Sequence, residues 1–231
     1  MIASDAGGVV VSNARVPGST VLGRMVLLGA PLTLALLEIL HPQPVGADEH
    51  VEQAGWFLTF HVIQLPLIGF VALAVYLLTV GLGGRAASVS RWATGVFAVF
   101  YSAYDTVAGI ATGIVLRNAR AFSPEAQAAV YKAVKDLPGI SLVPLGLDLV
   151  GTLSWVVAVI AAASALRHAG ASRGPFILLI LAGVFLMGGH PFPFGTLAFG
   201  CLFAAAAWLE FTPRATAHAR AKPTEQEVVK Q

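Results

Sequence analysis

Six side chains able to do metal or acid-base chemistry fall within or at the ends of long apolar stretches: Glu38, His41, His61, Asp105, Asp148 and His190. A charged group inside a membrane span costs about 2.5–3.5 kcal/mol on insertion scales, so each of these asks for a reason. Three imidazoles and three carboxylates supply the nitrogen and oxygen donors that zinc, iron or manganese take. A divalent cation would also offset negative charge that has no lysine or arginine partner along the spans. His41, His61 and His190 are therefore the expected metal ligands. Glu38 and Asp105 are expected as further ligands or general bases, with Tyr101 beside Asp105 as the third catalytic candidate. Gln64, Tyr104 and Asp148 are expected to support a cofactor from around the ligands.

Spacing narrows the chemistry. Glu38-x-x-His41 can present two ligands to one centre, as helical di-iron bundles do, but the chain holds no second such motif and no HExxH. His61 and Gln64 share one helical face. Tyr101 and Asp105 share another with Ala108 and Thr112, and Gly109 with Gly113 nearby predicts close helix packing there. Asp148 aligns with Gly151, Thr152 and Trp155. The dipeptide His-Pro occurs at 41–42 and again at 190–191, a faint trace of repetition. Haem ranks below a simple divalent ion, since there is no CxxCH attachment. Ser102 and Ser154 have no spacing that ties them to a histidine, which argues against a nucleophilic triad.

Plainer readings stand beside these. A histidine next to a proline at a helix end can cap carbonyls in the headgroup region, and Asp105 can simply hydrogen-bond a neighbouring helix. A second function class is a proton-coupled transporter that uses Asp105. It lacks an inverted repeat and any acid in the inner half of the spans apart from Glu210 at its edge. A third is a structural or assembly subunit, with the polar groups acting only as helix contacts; the Ala204–Ala207 run fits tight packing or contact with a second copy of the chain.

Composition sets the elements that must position these groups. The 231 residues are 57% hydrophobic and 11% charged, against roughly 45–50% and about 25% in soluble domains, so the lipid bilayer is the expected surrounding. A net charge of +2 provides no concentrated basic face for nucleic acid. The single cysteine, Cys201, excludes an intrachain disulfide and is read as a packing residue.

About 20 apolar helical residues cross a bilayer core. Spans are expected over residues 21–41, 55–82, 91–116, 141–167, 175–189 and 195–212, broken by Pro42 and Pro44, Gly83-Gly84, Pro138-Gly139, and Pro191 with Pro193. The predicted fold class is all-α: a polytopic membrane bundle of six transmembrane helices in residues 21–212, with polar tails over 1–20 and 213–231 and one short outer helix lying on the membrane surface. That helix begins at Ser123-Pro124 and carries Ala126, Val130, Ala133, Val134 and Leu137 as an apolar stripe able to roof a pocket. No cleavable signal peptide is expected, because Asp5, Asn13, Arg15 and Pro17 interrupt the first twenty residues. Six crossings gather Arg15, Arg24, Arg85, Arg91, Arg167, Arg173, Arg214, Arg220, Lys222 and Lys230 on one side. The positive-inside rule then predicts a multi-pass plasma-membrane protein with both termini cytoplasmic. All six costly groups fall in the outer half. The leading expectation is a metal-assisted enzyme or metal-binding protein acting on a lipid-like or small substrate.

Overall fold

The structure, a computed structural model, describes residues 20–135 and 146–212. Seven helices follow in chain order: α1 (Val21–Glu38), α2 (Gly46–Thr79), α3 (Arg85–Ala121), α4 (Pro124–Lys135), α5 (Leu147–His168), α6 (Arg173–Leu186) and α7 (Phe194–Phe211). There is no strand among the described residues. The chain is an all-α polytopic helical bundle: α1, α2, α3, α5 and α7 are each long and apolar enough to cross a membrane. The apolar helix α6 has 14 residues and rises only about 21 Å, short of a core of about 30 Å.

The helix ends differ from the expected ones for local reasons. Helix α2 starts at Gly46, nine residues before expectation, because Asp48 and Glu49 occupy its first turn and the Glu49 carboxylate accepts the Val45 N–H at 2.8 Å. Those acids complement the positive end of the helix, so a segment too charged to count as apolar still winds. Helix α1 stops at Glu38, and the N–H groups of Ile39, Leu40 and His41 each bond a carbonyl three residues back. His41 thus sits past a tightened last turn instead of inside the span. Helix α3 runs from Arg85 to Ala121 and includes a π-helical turn over Thr106–Ala111. Helix α5 begins at Leu147; the expected start near residue 141 lies outside the described residues, as do both tails.

The surface helix α4 forms where expected. Ser123 Oγ accepts the Ala126 N–H, and the Glu125 carboxyl is held below its ordinary range by its own backbone N–H and the Ser123 hydroxyl. Its buried side is set by Ala126, Val130 and Val134 with Gln127 and Tyr131, and Val130 and Tyr131 pack on Val51, Ala54 and Leu116. Ala133, expected in the stripe, is exposed, since the helix turns it away from the 126/130/134 row; Leu137 lies outside the described residues.

The core runs through the bundle as Leu34, Ile68, Phe97, Trp155, Leu179, Phe199 and Leu202, all without solvent exposure above 1%. Helices α3 and α5 approach closely at Gly151, where an added Cβ would lie 3.1 Å from Tyr101 Cα. Ser90 Oγ donates to the Ala158 carbonyl at 2.9 Å on the same seam, and Trp155 Nε1 donates to the Ala182 carbonyl of α6 at 3.0 Å. In the Ala204–Ala207 run, Ala205 and Ala206 are fully buried in the core, and Ala204 and Ala207 are half-buried. Cys201 is a free, partly buried thiol against that core. Exposed Leu22, Trp92, Val99, Ile177, Val184 and Phe211 give the circumference the apolar surface that hydrocarbon requires.

Candidate metal centre

Three segments bring one nitrogen each from His41, His61 and His190 within 4.8 Å of one another, forming a histidine cluster able to bind a metal ion. His41 comes from the tight turn after α1, His61 from the fifth turn of α2 and His190 from the connection between α6 and α7. The two His-Pro turns meet: His41 Nε2 and His190 Nε2 are 3.1 Å apart, and Gln43 Nε2 donates to the Phe192 carbonyl at 3.1 Å across the same junction. The repeated dipeptide therefore marks two turns that join at one site.

Backbone carbonyls fix two of the rings. His41 Nδ1 donates to the Pro42 carbonyl at 2.7 Å, and His61 Nδ1 donates to the Phe57 carbonyl at 2.7 Å. Each bond assigns the proton to Nδ1 and puts the lone pair on Nε2, which in His41 faces His190 Nε2, the arrangement in which a carbonyl orients a metal-ligating histidine. Burial and the facing imidazoles favour the neutral forms: His41 is pushed down to about 4, by burial and by His61, and His190 is pushed well below the ordinary range by burial, His41 and His61. Metal–nitrogen bonds of about 2.0–2.1 Å place adjacent ligand nitrogens roughly 3–3.4 Å apart, so the His41–His190 pair fits. The widest pair must close by side-chain rotation. At 3.1 Å those two rings stand too near to bracket a haem plane, whose axial nitrogens are separated by roughly twice such a bond.

Aromatic rings complete the walls. Phe60 meets His41 edge to face at 4.6 Å between centroids, Phe57 lies 4.4 Å from His61, and the Tyr101 and Tyr104 rings are 6.0 and 6.3 Å from His190. Phe57 precedes His61 by one helical turn, so helix spacing alone could have found it. Glycines make room for the ring and the turn: a Cβ on Gly109 would overlap the His61 ring, and one on Gly195 would overlap the His190 carbonyl. The small pair expected at Gly109 and Gly113 thus receives His61 and the backbone of Leu58.

The acids divide. Asp105 is 1% exposed, stands 3.9 Å from His61 Nε2, and has no hydrogen-bond partner on either oxygen among the described residues. The π-helical turn that begins at Thr106 follows it directly and carries Gly109 against His61, so a local irregularity in α3 sets both groups. Glu38 is fully buried in a separate pair: its Oε1 accepts from Gln64 Nε2 at 2.5 Å while Oε2 has no partner. Asp148 is half-buried and accepts from the Thr152 hydroxyl at 3.2 Å. The pairing of residue 90 with 158 and of 101 with 151 along antiparallel α3 and α5 puts it level with Tyr104. Neither Glu38, Asp105 nor Asp148 pairs with lysine or arginine among the described residues, whereas Glu210 pairs with Arg24 at 2.7 Å.

No family model, no curated protein sequence and no solved structure matches the chain. Function has to be argued from the site alone.

Proposed function

We propose that this membrane bundle holds a divalent metal ion on His41, His61 and His190, with Asp105 as fourth ligand or general base, and acts as a metal-assisted enzyme or metal-binding protein on a lipid-like or small substrate. The observation that carries the reading is the convergence of three imidazoles, two of them held through Nδ1 so that Nε2 carries the lone pair, beside a buried carboxylate that has no hydrogen-bond donor among the described residues. A bound cation would satisfy all four. It would supply Lewis-acid polarisation of a substrate oxygen or activation of water. Asp105 would hold or take a proton beside it; Tyr101 and Tyr104 wall the site, and the Glu38–Gln64 pair and Asp148 support it from outside the imidazoles.

Topography supports an outward-facing pocket in a plasma membrane with both termini cytoplasmic. Arg24, Arg85, Arg91, Arg167 and Arg173 mark the end of the bundle opposite the imidazoles, against Arg117, Arg120, Lys132 and Lys135 at the near end. In this reading α6 makes the sixth crossing, and α4, separated from His61 by Tyr131, His50 and Phe57, covers the flank of the pocket.

Metal analysis of the full chain purified in detergent tests the reading. The expected result is about one transition-metal ion per chain, lost in His61→Ala while helical content persists. Metal-free wild-type protein that stays empty after incubation with zinc, iron(II) or manganese would overturn it. The unpartnered Asp105 also favours a second reading, a proton-coupled carrier, whose test belongs to the whole molecule.

A further inference from the structure

A groove of about 610 Å³ opens between α2 and α3 at the end of the bundle away from the imidazoles. His61 and Thr79 are separated by about 27 Å of helix rise, so the two places are independent. Small residues line the groove, Gly69 and Ala72 on α2 and Gly95 and Ala98 on α3, with Tyr76 and Arg91 nearer the helix ends. A Cβ on Gly69 or Gly95 would meet nothing within 4 Å. These glycines therefore do not serve close helix packing; they leave space. Gly69 lies about 15 Å of helix rise from Thr79, a depth at which the surrounding medium is hydrocarbon.

Arg91 gives the groove a charged mouth. One terminal nitrogen donates to the Thr79 and Leu82 carbonyls at 2.8 and 3.2 Å, and the other donates to Ser88 Oγ at 3.4 Å. A guanidinium has five N–H donors, so two are left without an acceptor among the described residues. Residues 65–104 contain no Asp or Glu, and no carboxylate pairs with Arg91 among the described residues. The carbonyl bonds hold the guanidinium in place, and a phosphate can take the remaining donors. An apolar slot of acyl-chain depth ending in a fixed, anion-seeking fork describes one kind of occupant.

We propose that this groove is a binding site for an anionic phospholipid of the surrounding bilayer, with one acyl chain along Gly69, Ala72, Gly95 and Ala98 and the phosphate on Arg91. To test it, the full chain is delipidated in mild detergent, titrated with dioleoylphosphatidylglycerol or dioleoylphosphatidylcholine, and weighed by native mass spectrometry. The expected result is one phosphatidylglycerol per chain, retained about fivefold or more over phosphatidylcholine. Gly95→Leu fills the open space without touching Arg91 and should abolish retention while circular dichroism stays unchanged. Arg91→Gln should erase the preference between the two lipids. Equal retention of both lipids by the wild type, or undiminished phosphatidylglycerol on Gly95→Leu, overturns the proposal. So does a wild-type dimer that Gly95→Leu converts to monomer, which would make a second copy the occupant.

Discussion

Glu38 and Gln64 show how polar groups are made tolerable inside the bundle. The carboxyl is fully buried, and the Gln64 amide is its one hydrogen-bond donor among the described residues. Removing one member of such a pair leaves the other unsatisfied, which costs about 1–3 kcal/mol, whereas replacing both with apolar groups of similar shape is close to neutral. Gln64→Leu is accordingly expected to lower the unfolding free energy from a dodecyl sulfate titration by that amount, and Glu38→Leu with Gln64→Leu to recover most of it. A double variant no more stable than the single one would mean that the carboxyl has another donor. Asp105 is the contrasting residue. It has no donor among the described residues, and the imidazole edge 3.9 Å away makes it the acid most suited to a cation.

Elements place these residues through irregularities more than through regular helix. The π-helical turn after Asp105 and the glycine inside it fit α3 around His61, whose ring is pinned by its bond to the Phe57 carbonyl. Because the ring cannot move without losing that bond, Gly109→Ala should destabilise the fold by about 1–3 kcal/mol, an overpacking cost, and reduce bound metal. Gly95→Ala, also helical but open to the groove, should be neutral or gain up to about 1 kcal/mol from helix propensity. Unfolding midpoints and metal content measured on the two variants side by side decide the matter; equal effects would remove the assigned role of Gly109. Helix α2 teaches a related point. Asp48 and Glu49 at its N-terminus are the sequence signal that carries the helix back to Gly46, where hydropathy alone starts it at residue 55.

At the scale of the whole molecule, the three imidazoles, Glu38 and Asp105 gather toward one end of the bundle. Glu210, toward the other end, is committed to Arg24, and this joins α1 to α7. A proton-coupled carrier needs access from both faces, and that ion pair leaves no free acid at the Glu210 end among the described residues. In proteoliposomes with an imposed pH gradient, a pyranine readout should show no proton uptake that depends on Asp105: wild type and Asp105→Asn should behave alike. Uptake lost in Asp105→Asn with the fold intact would favour the carrier over the metal reading.

Hydropathy and charge by themselves determined that the chain is a helical membrane bundle, because a bilayer core demands long apolar helices whatever their partners. They also singled out Glu38, His41, His61, Asp105, Asp148 and His190, since polar groups in hydrocarbon are costly. Only the tertiary structure decided which of them meet. Rotation about each helix axis, the tight turn after Glu38 and the π-helical turn after Asp105 bring three imidazoles together, give Glu38 to Gln64 and leave Asp148 with Thr152. Helical periodicity fixes which side chains share a face, but the direction of that face depends on packing between segments far apart in the chain, and one sequence carries no direct record of it.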